Sequence, residues 1–379
     1  MTDVDVRQIS SLREILPEHW NSLESPDYPF LKHQFLYGLE KYKCLEDHGW
    51  YPCHFIIEQG NNLLGAIPLY LKTNSTGEFV FDWDWADAYE QAGGQYYPKL
   101  VTAVPYTPVT GPRLLVRRGI DRNMIFRLLY DHICNFAKKL NVSGYHVLFP
   151  DEPDMKILED GNMLPRLGVQ YHWENDGYSD FNDFLSGLSS KKRKQVKKER
   201  KVLSSENITV EILEGPEIDD NHWTAFHHFY QSTFYRKWGE PRFTLEFLKS
   251  LGRDLPDSPV LFMARSGKEY IAGALAFRGG NTLYGRHWGC CQNYKFLHFE
   301  LCFYQTIDYC IQKGIRKFDA GAQGEHKIKR GFVPVETFSA HWINNETFRS
   351  AINSYLIHEN HAIKSYIHEL SKHLAYRAA

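Results

Sequence analysis

Hydrophobic, β-rich runs cut by turn residues open the reading of this chain. Around Cys53 it reads HFIIEQGNNLLGAIPLYLKTNSTGEFVFDW, three runs broken at Gln59-Gly60-Asn61 and at Asn74-Ser75-Thr76-Gly77. Such a pattern predicts a three-strand meander. It returns around Val260 as VLFMARSGKEYIAGALAFRGGNTLYGRHWG, broken at Ser266-Gly267-Lys268 and at Gly279-Gly280-Asn281. Even the middle runs match, GAIPL from Gly65 beside GALAF from Gly273. A stripe at helical spacing follows each meander. It is Phe126, Leu129, Ile133, Phe136 and Leu140 in the first half, and Phe299, Phe303, Ile307, Cys310 and Ile311 in the second. Lys313-Gly314 closes the second helix, and the strands GYHVLF and IRKFDA come next. The chain is therefore a duplicated α/β unit, with Tyr89 to Arg118 inserted in the first copy.

Between the copies, SDFNDFLSGLSSKKRKQVKKERKVL predicts one helix with Ser179 as its N-cap and a stripe of Phe181, Phe184, Leu185, Leu188, Val196 and Leu203. The boundary falls near Gly177, giving domains 1–176 and 177–379, the second opened by this basic helix. The expected class is α/β (α+β), each domain a mainly antiparallel sheet flanked by helices. Meander, helix and strand in that order resemble the core of the GNAT acyltransferase fold, a likeness that fixes no function by itself.

A chain of 379 residues, 43% hydrophobic and 15% aromatic, can bury two cores. The first twenty residues lack the basic flank and apolar run of a signal peptide, and no apolar stretch reaches bilayer length. Seven cysteines form no CxxC pair. Together these predict a reduced, cytoplasmic protein. Charge is unevenly spread. Lys191–Lys201 holds eight bases and one acid, +7 locally, leaving −9 on the rest of a chain of net −2. A cationic segment on an acidic body predicts a local anionic partner.

The stretch GAQGEHKIKR, Gly321 to Arg330, directly follows the strand KFDA. A metal is excluded there: Glu325 and His326 are adjacent and point apart in extended backbone, none of the 18 histidines falls into HExxH, and HENH at His358–His361 has the wrong spacing. Lys327, Lys329 and Arg330, with backbone N–H groups freed by Gly321 and Gly324, suit a phosphate or carboxylate; the alternative is a solvated basic turn. Acyl transfer to an amine needs a base and a stabilised oxyanion. The base candidates are Glu325 and His326 first, then Glu300, then His287, with His298 beside them. Gln323, Arg286 and Tyr106 are further substrate-side candidates. Lys191, Lys192, Arg193, Lys194, Lys197 and Lys198 suit phosphates without reading bases; the alternative is a solvated helix face. In FDWDWADAYE, Trp83, Asp84 and Trp85 suit a sugar or an amine-bearing acceptor, or else form an alternating strand end with its tryptophans packed inward.

Longer strings carry a more specific resemblance. FDWDWADAY, YYPKL, AVPYTPVTGPRLL, SSKKRKQVKKER, LYGRHWG, LHFELCFYQ and GAQGEHKIKRGF, in this order over nearly the whole chain, resemble the FemAB-like family of peptidoglycan biosynthesis or recognition proteins. The resemblance implies tandem GNAT-like domains, as in the Fem aminoacyltransferases that extend peptidoglycan side chains. Its loop pattern is carried here by Phe318-Asp319, Gly324, Lys329 and Phe332. It implies acyl or aminoacyl transfer to an amine of a cell-envelope precursor, with aminoacyl-tRNA or acyl-CoA as a transient donor and no tightly bound cofactor. Where acetyl-CoA-dependent relatives carry a Gly-rich loop, WGCCQNYKFLHF has one glycine, Gly289. An acetyl-CoA-dependent N-acetyltransferase and a non-catalytic recognition module stay open beside the transferase. The first copy ends its strand in LFPDEPD, without a basic turn, and is expected to be degenerate.

Overall fold

The computed structural model describes residues 4–23, 27–236, 239–322 and 324–377. Two compact units appear, residues 1–168 with 336–365, and residues 169–335 with 366–379. The division thus falls a few residues before Gly177, and the chain re-enters the first unit after residue 335. The strand Val333–Ile343 explains the return: its Ser339–Ile343 segment pairs antiparallel with Gly144–Leu148. A sheet edge recruits that segment, and no local sequence signal announces it.

In the first unit, Asp5–Ile9, His54–Gln59, Asn62–Ile67 and Leu115–Val116 make a four-stranded antiparallel sheet. Tyr70–Lys72 leaves this sheet to pair with Trp50–Pro52 and Lys99–Thr102. Lys99–Thr102 in turn lies parallel to Gly144–Leu148. The segment Tyr89–Arg118 is therefore more than an insertion, since it supplies two strands. The run expected as a third strand, FVFDW, turns instead into the helix Trp83–Gln91. Arg122–Lys139 is capped by the Asp121 carboxylate, which accepts the Asn123 and Met124 N–H groups. Its buried stripe is Ile125, Phe126, Leu129, Ile133 and Ala137, whereas Leu140 is exposed.

The second unit keeps the expected order. Ile208–Glu214, Pro259–Ser266, Glu269–Gly279 and Thr282–Cys290 are successive antiparallel neighbours. Thr282–Tyr284 then pairs parallel with Lys317–Asp319 after the helical crossover. Phe303, Ile307, Cys310 and Ile311 are buried by that crossover, and Gly314, in the left-handed region, ends it. The basic segment forms two helices, Phe181–Gly187 and Ser190–Ser205, rather than one. Extended backbone at Leu188 and Ser189 separates them, with Leu188 fully buried and the Ser189 N–H donated to the Ala375 carbonyl. The first is capped by Asp180, one residue after the expected Ser179.

Gly289 is fixed by packing. A Cβ there would lie 2.0 Å from the Phe229 carbonyl oxygen of the helix Asp220–Tyr235. Gly289→Ala must push backbone apart and should cost about 1–3 kcal/mol. Phe332→Ala, at a fully buried ring, should cost about 3–5 kcal/mol. Urea denaturation checks both; an unchanged midpoint for either removes the packing role assigned to it.

Candidate active site

Strands Thr282–Cys290 and Lys317–Asp319 pair over only three residues, Thr282–Tyr284 with Lys317–Asp319. Beyond that the loop 320–330 follows the shorter strand. Its first part is held by Asp319, whose buried carboxylate accepts the Gly321 N–H at 2.8 Å and lies 3.6 Å from His172. Burial acts against that carboxylate, yet His172, Arg286 and the Gly321 N–H hold its pKa below the usual range. Burial likewise lowers His172 to about 4, so it is neutral at pH 7.

The second part, Glu325–Arg330, is a 3-10 helix rather than extended backbone. Glu325 and His326 therefore do not alternate across a strand. Gly324 permits the entry: its φ is +109°, and a Cβ there would lie 2.4 Å from the His326 ring. Two of the loop's three cations turn inward, against the expectation of a basic group open to a ligand. Lys327 Nζ donates to the Ala320 carbonyl at 2.7 Å and the Gly321 carbonyl at 3.0 Å, and burial lowers its pKa to about 8. Arg330 is 3% exposed, and its Nη2 donates to both carboxylate oxygens of Glu199, at 2.9 and 3.0 Å. Its Nε donates to Tyr304 Oη at 2.9 Å, and its guanidinium carbon sits 3.5 Å from the Phe299 ring centroid. Tyr304 in turn donates to Glu199. Lys329 stays exposed. Gln323 lies outside the described residues.

The partners of Arg330 come from a wide turn. Glu300–Tyr304 is a π-helix inside the crossover helix, a feature frequent at functional sites. It presents Tyr304 to Glu199 and Glu300 to Arg200, consecutive residues of the basic helix. Glu300 is 5% exposed; its Oε1 accepts from Arg200 and, at 2.8 Å, from Gln305. Burial raises its pKa.

His326 is exposed, with its ring 5.6 Å from Phe299, 5.7 Å from Phe303 and 6.3 Å from His298. Desolvation against those rings, then Arg330, Lys327 and Lys329, lower its pKa. Glu325 accepts a short hydrogen bond from Tyr366. His298 meets Trp288 at 5.0 Å. His287, the next residue along the strand, faces the other side. It is wedged between Tyr230 and Phe243, at 5.1 and 4.8 Å, and burial lowers it to about 3. The structure thus gathers His326, His298 and the loop, turns Glu300 to Arg200 and Gln305, and leaves His287 out. Arg286 donates to the neighbouring Gly285 carbonyl at 2.7 Å.

Of the basic run, Lys191, Lys194, Lys197 and Lys198 are exposed, and Lys192 and Arg193 half-buried. Burial lowers the Lys192 ammonium, followed by the charges of Lys329, Lys191 and Arg330. Two cationic stretches far apart in sequence therefore share one field.

The first-unit candidates sit differently. Trp83 is exposed on its helix, with its ring 4.9 Å from Phe81; Asp84 follows in the first turn. Trp85 is buried, edge-on to His341 at 4.9 Å and capped by Arg166 at 4.8 Å. Tyr106 is buried, its hydroxyl donating to the Cys44 carbonyl at 2.6 Å. Sequence reasoning missed the polar core beside them. Lys99 is buried with Glu78, Asp82 and Ser75, and burial raises Glu78 to about 7. His146 and His341 meet Nδ1 to Nδ1 at 2.6 Å. Burial lowers both histidines; each is neutral, and one donates to the other. Glu199 and His172 were also missed, and Asp319 entered only as part of the loop pattern, without a role. Only Glu199 carried a signal, as the lone acid among eight bases.

A family model for FemAB-like proteins, described as peptidoglycan biosynthesis/recognition, matches residues 11–378. The chain belongs to the FemAB-like family. No curated protein matches it. Among solved structures, FemX is 12% identical with a TM-score of 0.53, the match covering 92% of this chain and 100% of FemX. The C-terminal domain of a protein described as a lysylphosphatidylglycerol synthetase, from Agrobacterium fabrum, is 8% identical with a TM-score of 0.52, covering 92% and 98%. A tandem GNAT protein from the clavulanic acid biosynthesis pathway is 9% identical with a TM-score of 0.46, covering 90% and 99%. The FemAB-like chain shares the fold of FemX, an α/β chain with antiparallel-rich sheets flanked by helices. By its family it is a protein of peptidoglycan biosynthesis/recognition. Among the described residues, no helix is long and apolar enough to cross a membrane.

Arg330→Ala strands the Glu199 charge in the interior and should cost about 3–5 kcal/mol, whereas Lys329→Ala at an exposed site should stay within about 0.5 kcal/mol. Equal losses in thermal or urea melts would contradict the division of the loop into an anchored and a free part. Lys327 supplies a pH test. Its folded pKa of about 8 lies below the ordinary 10.5, so the unfolded chain binds more protons between those values. The penalty for burying the charge is full below pH 8 and relieved as pH rises. The stability difference between wild type and Lys327→Met should move toward wild type from pH 8 to 10, by up to about 1.4 kcal/mol per pH unit. A pH-independent difference would mean that Nζ titrates normally.

Proposed function

We propose that this FemAB-like protein transfers an acyl or aminoacyl group from a phosphate-bearing donor to an amine of a peptidoglycan precursor at its cytoplasmic stage, with the second unit as the active copy. One observation carries the reading: exposed Lys329 shares its field with Lys191 and Lys192, next to the neutral, ring-packed His326. Like charges crowded at a surface favour a polyanion, which relieves their repulsion. Phosphates of the donor lie on these lysines, and the carbonyl to be attacked comes to His326.

The amine nitrogen forms the new C–N bond as the donor's C–O or C–S bond breaks. His326, neutral at pH 7, takes the amine proton and returns it to the leaving oxygen or sulfur. Lys327, held by the Ala320 and Gly321 carbonyls, fixes the loop that carries His326. Glu325 and Tyr366 brace the loop beside them.

An aminoacyl-tRNA donor is favoured over acyl-CoA by Gly289. This glycine's missing Cβ admits the Phe229 carbonyl and therefore leaves no Gly-rich cradle for a pyrophosphate. The following helix also starts at Leu297 from Phe296 in the left-handed region, without a side-chain cap.

Incubation of the purified chain with charged tRNA or with acyl-CoA, each with a UDP-linked muropeptide, tests the reading. Transfer from charged tRNA is expected. Lys329→Ala should lower turnover at least ten-fold and flatten the dependence on salt, with an unchanged melting temperature, and His326→Ala should lower turnover without weakening donor binding. Donor and acceptor binding without turnover would make the chain a recognition module; absence of binding to every donor would end the transferase reading.

A further inference from the structure

In the first unit, buried charges hold three aromatic side chains out in water. The segment from Glu78 to Trp83 alternates: Glu78 and Asp82 are buried, whereas Phe79, Phe81 and Trp83 are 37%, 49% and 59% exposed. One buried ammonium takes both inward acids. Lys99 donates to Glu78 at 2.8 Å and to Asp82, and Ser75 and Tyr96 each donate to Asp82 at 2.6 Å. Phe79 is kept at a φ of +63°, a left-handed conformation that a bulky side chain rarely adopts. The Phe81 and Trp83 rings meet at 4.9 Å. Exposed rings on a backbone pinned this firmly mark an interaction face. The face continues along the helix Trp83–Gln91, where Trp83, Asp87 and Glu90 recur at i, i+4 and i+7, exposed on the side opposite buried Trp85.

We infer that this acidic, aromatic face docks onto the basic helix of a second copy of the chain. Rings beside carboxylates take ammonium groups, through the ring face and through charge together. The chain carries that complement at one place, the helix Ser190–Ser205. Lys194, Lys197 and Lys198 lie there at i, i+3 and i+4, all exposed, on the side away from buried Val196 and Glu199. Among the described residues, none of Asp87, Glu90, Lys194, Lys197 and Lys198 has a hydrogen bond or an ion pair. Two helical stripes of opposite character are thus left unmatched on one chain. Lysine stems cover the Phe81 and Trp83 rings while their ammonium groups meet Asp87 and Glu90. The same acids turn the face away from a bilayer, whose anionic surface repels them. The two surfaces differ, so each contact is heterologous. The inference goes beyond the transferase reading and stands without it, since it uses none of His326, Lys329, Lys191 and Lys192.

Sedimentation velocity on the full chain, at up to about 0.1 mM, tests it. Association should appear at about 50 mM salt and weaken at least ten-fold at about 500 mM, because exposed charges are screened. Two double variants at exposed sites follow, Asp87→Lys with Glu90→Lys on the aromatic face and Lys194→Glu with Lys198→Glu on the basic helix. Each alone should be monomeric with an unchanged melting temperature. An equimolar mixture of the two should associate again, because the intact surfaces then meet each other and so do the reversed ones. Trp83→Ala should weaken association of the otherwise unaltered chain at least five-fold. A wild-type chain that stays monomeric at low salt overturns the inference on its own, whatever the variants do. A mixture of folded variants that stays monomeric overturns it as well. So does binding of a monomeric chain to phosphatidylglycerol vesicles that Trp83→Ala abolishes, which would give the aromatic face to a membrane.

Discussion

Everything at the candidate site hangs on one buried ion pair, Glu199 with Arg330. A helix with eight bases in eleven residues has no reason of its own to lie against a protein; its charges prefer water. Glu199 reverses the sign at a position that faces inward, as Val196 also does, and Arg330 meets both its oxygens through Nη2 while Nε and Nη1 serve Tyr304 and the His326 carbonyl, a planar spread of donors that a lysine cannot reproduce. The pair is worth keeping in the interior because its remaining valences are filled. Gln195 and Tyr304 serve the carboxylate, and Tyr304, the His326 carbonyl and the Phe299 face serve the guanidinium. Docking the helix and shaping the loop are thus one event. The exposed lysines on both sides come together as a by-product, without any attraction between them.

Much of the fold was legible in the chain because two periodicities announced it. The meander in the second unit, its crossover helix and the glycine that ends it follow from hydrophobic spacing and turn chemistry alone. The first unit was read less well where tertiary pairing overrode local pattern. Tyr70–Lys72 changes sheets, Lys99–Thr102 is a strand hidden in what looked like an insertion, and FVFDW yields to a helix because Asp82 is drawn into the Lys99 network. None of these choices is local. The return of Ser339–Ile343 to the first unit has the same character.

The site was less legible than the fold. GAQGEHKIKR was picked out for its composition, but composition cannot say which cations point inward. Lys327 and Arg330 are consumed by carbonyls, Glu199 and Tyr304, leaving Lys329 exposed. His287 and Trp288 are neighbours in sequence and opposites in space, since a strand sends successive side chains to opposite faces. Asp319 and His172 came from strands adjacent only in the sheet, and no spacing could have joined them. The first unit holds its own dense polar core around Lys99 and the His146–His341 contact. It is therefore not an inert copy in electrostatic terms, although it lacks a basic loop after its last parallel strand.

The π-turn from Glu300 to Tyr304 limits how this chain can vary. An α-helix rotates about 100° per residue, and a π-turn accommodates one residue more than the ladder on either side expects. Loss of a single residue between Phe299 and Gln305 would let the segment relax into continuous α-helix, the two flanks keeping their phase because the wide turn had absorbed the extra residue. The side chains inside the turn, which now meet Arg200 and Glu199, would be re-aimed. The length of this stretch is therefore under tighter constraint than its composition. In a homologue, a one-residue gap there would mark a different ligand chemistry more reliably than any substitution among the lysines.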